Sequence, residues 1–300
     1  MNSLTRLCIL APTAVAVVGL TACAGGDGLP LLSPATSGTL SSCADLATRI
    51  TFANTTITAA NAIPAGTLTV SGSSVPAHCQ VLGRMNQRTS AVDGNTYAIG
   101  FEMRLPNAWN GRFFYQANGG LDGSVGTAAG GIGGGGPLTN ALQMGFAVIS
   151  SDAGHAGSLG PFFGIDPQAR LDYGYNAVGQ LTPMAKAAIA TAYGKGPDRS
   201  YIGGCSNGGR HVLVATSRYP DLYDGFLAGD PGFNLPKAAV AQLYGVKQYA
   251  TVTTANTAAG LPDISTAFTP AELTTVSKAV LAKCDALDGL ADGLVSDTKA

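Results

Sequence analysis

Residues 199–210 read RSYIGGCSNGGR: a short aromatic and β-branched run leading into a serine flanked by glycines. Gly204-Cys205-Ser206-Asn207-Gly208 fits G-x-S-x-G. The pattern predicts a strand before it, at 199–202, and a helix after it, at 208–219. On the sharp bend between the two, Ser206 lifts its hydroxyl clear of the sheet edge. A side chain at Gly204 or Gly208 would clash with that bend. The helix aims its free N–H groups at the place where an oxyanion would develop, so the Asn207 N–H is the expected first donor. A second donor is expected from the glycine-rich stretch 118–123, NGGLDG, through the Gly120 N–H.

On either side, strand and helix signals alternate. TYAIGFEMRL at 96–105 has period two, RFFYQA at 112–117 and GFLAG at 225–229 read as strands, and FAVIS at 146–150 is a continuous apolar run. Shorter strand-like runs fall at 67–70 and 80–82. Helices are predicted at 138–144, 181–193 and 208–219, with loops at 118–137 and 151–172. Alternation of this kind predicts an α/β fold, a mostly parallel sheet flanked by helices. With a serine elbow, that is an α/β-hydrolase-like core, placed at 43–235. Residues 236–300 change to an Ala/Thr-rich, helical character and read as the beginning of an inserted lid domain.

The 300 residues are 46% hydrophobic and 12% charged, with a net charge of −1. Low charge excludes a disordered chain, and the lack of a basic stripe excludes nucleic acid as a partner. Residues 1–22 carry one positive charge and then an apolar run too short to span a membrane, which predicts an export signal. The run ends in Leu20-Thr21-Ala22-Cys23, which resembles a bacterial lipobox, so Cys23 is the expected lipidation site and a lipid anchor the only expected membrane contact. Residues 23–42 read as a flexible tether. The expected location is the bacterial periplasm or cell surface. There disulfides persist, and Cys43 with Cys79 is the expected bridge. Cys205 and Cys284 could pair with each other or with cysteines elsewhere.

Several stretches together carry a family resemblance. YIGGCSNGGR at 201–210, with Arg218-Tyr219-Pro220 and Asp224-Gly225, is similar to the tannase and feruloyl esterase family. So are Asp172-Tyr173-Gly174-Tyr175-Asn176-Ala177, Ser151-Asp152-Ala153-Gly154-His155, and Trp109-Asn110-Gly111-Arg112-Phe113 followed by Asn118-Gly119-Gly120. The resemblance implies hydrolysis of carboxylic esters, often of aromatic acids, with a small-molecule substrate. It also implies that Cys205 bonds a cysteine beside the catalytic histidine.

Residues 284–294, CDALDGLADGL, place three carboxylates in one short loop, an arrangement suited to a hard cation. The resemblance implies a structural calcium held by the side chains of Asp285, Asp288 and Asp292 and the carbonyls of Leu290 and Leu294.

The order expected in this fold is serine, acid, histidine. The histidines are His78, His155 and His211, and none lies far enough past Ser206. His78 and His211 read as surface or packing residues, and His155 as a residue that could line the site. The chain is therefore expected to be an N-terminal fragment, inactive as it stands, because a serine without a base is a poor nucleophile. A non-catalytic, membrane-tethered binding protein on the same scaffold and an acyltransferase are the other readings.

Overall fold

The structure, a computed structural model, describes residues 33–131 and 140–297. The expected export signal at 1–22 and the expected lipidation site Cys23 lie outside the described residues.

Seven strands make the central sheet: β1 (Thr55–Ile63), β2 (His78–Thr89), β3 (Thr96–Pro106), β4 (Arg112–Ala117), β5 (Ala147–Ser151), β6 (Arg199–Cys205) and β7 (Gly225–Gly229). Their spatial order is β7-β6-β4-β5-β3-β2-β1. Pairs β5·β4, β4·β6 and β6·β7 are parallel, whereas β3·β5, β2·β3 and β1·β2 are antiparallel. The sheet is thus mixed, with its parallel half centred on β4 and β6. Within the antiparallel half the β2–β3 connection is tight and leaves no room for a crossover helix: Ser90 N donates to Asn95 O across the turn.

Two helices serve the parallel half. Helix α1 (Ala177–Tyr193) buries Ala177, Val178, Leu181, Met184, Ala185, Ala188 and Ile189, an i, i+3, i+4 stripe. Its alanines let the backbone approach the sheet closely, while Leu181, Met184 and Ile189 each contribute about 1.5–3 kcal/mol by burial. The Tyr193 ring stacks on Trp109 at 4.4 Å. Helix α2 (Asn207–Arg218) follows the serine directly. The expected helix at 138–144 is a turn over its described part.

Cys43 and Cys79 form the expected disulfide. Described residues N-terminal of 43 pack on the domain. Gly38 and Thr39 pair with Trp109 and Ala108, Thr36 N donates to Asp198 (2.7 Å), and Arg199 donates to Ser33 O (2.8 Å). The described end of the expected tether is therefore docked. Two further helices, α3 (Leu235–Tyr249) and α4 (Pro270–Cys284), fall where the lid was expected and bury none of their residues. The described helices include none long and apolar enough to cross a membrane.

Candidate active site

Parallel neighbours β4 and β6 point their C-terminal ends the same way, and the loops leaving them meet there. Such a carboxyl end is where ligands bind in open α/β sheets. Ser206 occupies the bend between β6 and α2 with φ 59° and ψ −120°, a conformation costing a non-glycine residue about 1–3 kcal/mol. The bend is held by its own backbone: Ser206 N donates to Gly229 O (3.0 Å), and Ser206 O accepts from Arg210 N (3.1 Å) and Gly232 N (3.0 Å). The glycines are explained by close approach. A Cβ on Gly204 would sit 2.6 Å from Ala117 O, and one on Gly208 would overlap the same carbonyl.

Ser206 stands at the N-cap position of α2, where a serine ordinarily accepts a helix N–H. Its side chain makes no capping bond, and the residue is exposed. The positive φ takes the hydroxyl away from the helix N–H groups and leaves it facing a cleft of about 480 Å³. Gln116, Asn118, Gly119, Thr127, Ala129 and Cys205 share that cleft with it. Gly119 is the loop glycine that lines the cleft; Gly120, the expected donor, is its neighbour, with φ +64°.

The loop after β4 is pinned by buried polar groups. Asn118 Nδ2 donates to Ser150 Oγ (2.9 Å) and Ser151 O (2.8 Å). Gly130 N donates to Gln116 Oε1 (2.8 Å), and Ala128 N to Glu102 Oε1 (2.9 Å). Glu102 also accepts from Arg104 Nε (2.5 Å) and from Gln80 Nε2 (2.7 Å).

All three imidazoles are held elsewhere. His78, read from sequence as a surface residue, is buried: Nδ1–H donates to Pro76 O (2.7 Å) and Nε2 accepts from Arg104 (2.7 Å). Burial is the first cause that lowers its pKa, and the Arg104 charge adds to it. His155 is also buried, stacked on Phe163 at 3.7 Å, and lines a separate cleft with Asp152 and Arg84. His211, read from sequence as a surface or packing residue, is buried under the elbow, 2.8 Å from Asp122 Oδ2. Sequence reasoning missed this Asp122–His211 pair.

Asp152 Oδ1 accepts from Gly100 N (2.9 Å) and Gly154 N (2.8 Å). Burial outweighs those bonds and pushes the carboxyl up to about 7. Unfolded, the group ionises near pH ~4. Between those values the folded chain holds the extra proton, so this group's contribution to stability falls as pH rises from about 4 to about 7. Asp152→Asn is expected to remove that slope. Urea unfolding of the full-length natural protein at pH 5 and pH 8 should show the variant gaining on wild type at the higher pH.

Among the described residues, Cys205 and Cys284 form no disulfide. In the loop after α4, Asp285 Oδ1 accepts from Asp292 N (3.2 Å) and Gly293 N (3.0 Å). Asp288 accepts from Leu290 N (3.0 Å) and Ser296 N (3.2 Å), and Asp292 Oδ1 from Leu294 N (3.0 Å). Donors that are all oxygen suit a hard cation. Among the described residues, however, no three acidic, imidazole or thiol side chains converge on one point.

Residues 79–300 match the family model described as tannase and feruloyl esterase. The chain is 43% identical over 240 residues to a mono(2-hydroxyethyl) terephthalate hydrolase of Piscinibacter sakaiensis, covering 77% of this chain and 40% of that one. It is 36% identical over 197 residues to a probable feruloyl esterase B-1 of Neosartorya fischeri, covering 66% and 34%. Feruloyl esterase B from Aspergillus oryzae superposes with a TM-score of 0.65 at 27% identity, over 85% of this chain and 48% of that one. The chain thus spans less than half the length of these relatives. With a glycine-flanked serine on the bend between β6 and α2 and a family match over most of its length, the chain belongs to the tannase and feruloyl esterase family.

Proposed function

We propose that the full-length protein is a serine-dependent carboxylic ester hydrolase acting on small esters of aromatic acids. The observation that carries this is Ser206: at an N-cap position, held at positive φ, exposed, and not used as a cap. Its hydroxyl attacks the ester carbonyl. The N–H groups of Asn207 and of the Gly119–Gly120 turn receive the oxyanion, the alcohol leaves, and water then releases the acid from the acyl-enzyme. The proton from Ser206 needs an imidazole. None of His78, His155 and His211 lines the Ser206 cleft. The aromatic acid is supported by the names of the terephthalate and feruloyl ester relatives. Hydrolysis of a panel of aryl and alkyl esters of benzoic, ferulic and acetic acids by wild type and Ser206→Ala tests the proposal. Equal activity of the two proteins would end it.

The proposal places the protein outside the cytoplasm, held by a lipid on Cys23. A structural calcium on Asp285, Asp288 and Asp292 would require these carboxylates, which do not converge here, to draw together on the ion, and no catalytic step depends on it. Calcium at one hundred times its Kd is expected to stabilise the full-length protein by about 2.7 kcal/mol, which a thermal melt reads as a higher melting temperature. A chelator should reverse the gain. An unchanged melting curve would remove calcium from the proposal.

A further inference from the structure

Asp122 sits in the loop after β4, three residues beyond Gly119, with its amide donating back to Gly119 O (3.2 Å). Its backbone has φ 57°, an uncommon conformation for a residue with a side chain. That conformation turns the carboxylate inward, where its side chain is 2% exposed. One oxygen, Oδ2, accepts from Asn207 Nδ2 at 2.6 Å and lies 2.8 Å from His211 Nε2. Asn207 and His211 are four apart on α2 and present the same face to the loop. A single buried carboxylate therefore ties the turn at 119–122 to the first turn of the elbow helix.

The other half of the Asn207 carboxamide is occupied too. Oδ1 accepts from Tyr173 Oη (2.9 Å) and from Arg210 Nε (2.6 Å). Arg210 in turn donates to the carbonyls of Tyr173 and Gly174 (3.1 Å each) and lies over the Tyr173 ring at 4.4 Å. These partners fix which way the amide faces. His211 Nε2 lies 2.8 Å from Asp122 Oδ2 and 3.2 Å from Arg210 Nη2, while Nδ1 is buried with no partner among the described residues. Asp122 itself is not among the residues lining the Ser206 cleft, so whatever it does for the reaction it does through its partners.

Filling this place with an apolar side chain would avoid the cost of burying a charge. A carboxylate offers instead short, directional bonds that allow one register of loop against helix. The two segments so tied carry the two oxyanion donors, the Gly119–Gly120 turn and the Asn207 N–H. An oxyanion hole works only when both donors sit about 2.7–3.1 Å from the forming charge, so their mutual spacing controls the chemical step more than binding.

We propose that Asp122 is a positioning residue of this site: acting through the Asn207 side chain and His211, it sets the spacing of the oxyanion donors. The proposal rests on the serine esterase reading above. It predicts a loss in kcat with little change in KM, and it predicts that Asp122 and Asn207 act as a unit.

The test uses the full-length natural protein and an activated aryl ester, with thermal melts alongside. Asp122→Ala is expected to lower kcat about 100-fold, the size of losing one oxyanion donor, with KM within about threefold. Asp122→Asn keeps an acceptor for Asn207 Nδ2 and should recover most of that loss. Asn207→Ala removes one of the two ties, leaves the His211 contact and the backbone N–H, and should lose part of what Asp122→Ala loses. The double variant Asp122→Ala/Asn207→Ala should be no worse than Asp122→Ala alone. A folded Asp122→Ala enzyme with kcat within about threefold of wild type overturns the proposal, as does a double variant whose loss is the product of the single ones. Should Asp122→Ala fail to fold, the cycle of Asp122→Asn with Asn207→Ala decides, and multiplicative losses there overturn it equally. Ser206→Ala separates the two levels: an inactive Ser206→Ala beside a fully active Asp122→Ala sinks only the positioning role. An active Ser206→Ala sinks the esterase reading itself.

Discussion

Ser206→Ala, made in the full-length protein, is expected to lower kcat on an aryl ester on the order of 10⁴-fold or more while the fold stays intact. The size follows from the chemistry. Without the hydroxyl no acyl-enzyme forms, and what remains is the modest stabilisation that backbone N–H groups and binding give to direct attack by water. The fold survives because the residue is exposed, its side chain caps nothing, and the bend is held by Gly229 O, Arg210 N and Gly232 N. Alanine at φ 59° still carries the strain that serine carries, so the melting temperature should change little. Steady-state rates and a thermal melt on the same sample check both halves.

Gly208→Val is expected to have the second largest effect, and on both activity and stability. A Cβ at this position meets Ala117 O within overlap distance, Ala117 C at 3.0 Å and Asn118 O at 3.1 Å. All three are backbone atoms of β4 and the loop that follows, so no side chain can swing aside. Either α2 lifts from the sheet or β4 shifts, and each movement displaces the oxyanion donors relative to Ser206. Overpacking of this kind costs roughly 1–3 kcal/mol. A shift on the order of 1 Å near the reacting atoms costs about 100-fold in rate. Gly245→Ala is the control: a Cβ there meets nothing within 4 Å, and alanine favours helix α3 by about 1 kcal/mol. Chemical denaturation of the three proteins, followed by activity on the folded fraction, separates the outcomes.

The elbow was legible in the sequence because everything that makes it is local. Strand, glycines, serine and helix fall within residues 199–218, and each segment has its own signal. The parallel core strands were legible for the same reason: Arg112–Ala117 and Gly225–Gly229 are found at the residues where the sequence reads as strand. Strand β1 was not. Its sequence, TTITAANAI, mixes small and polar residues, as suits an edge strand only partly buried along its length. Strand β2 was seen only as the run 80–82, although it extends over His78–Thr89, because its second half is polar and interrupted by a register shift between Met85 and Arg88. The helix expected from 181 begins at 177, after one π-helical turn at Asp172–Asn176 whose glycine and aromatic residues mask its helical character.

Side-chain partnerships were the least legible part of the site. His211 finds Asp122, 89 residues earlier in the chain, and His78 finds Arg104, 26 residues later. No spacing rule links such positions, since the contacts exist only after β4 and β6 have paired and β2 has joined β3. The same applies to the N-terminal segment. Its composition reads as a tether, yet Gly38 packs on Trp109 and Thr36 on Asp198, 162 residues away. The carboxylates at 285, 288 and 292 show the limit from the other side. Their clustering was plain in the sequence, while their use as acceptors for loop N–H groups required coordinates.

The most direct test of the central claim is to treat the full-length protein with a fluorophosphonate and map the adduct by peptide mass spectrometry. The expected result is one stoichiometric adduct, on the peptide carrying Cys205-Ser206-Asn207, formed at the rate at which esterase activity is lost and absent after denaturation. Complete loss of activity with Ser206 unmodified, or labelling spread over several serines at equal rates, would contradict it.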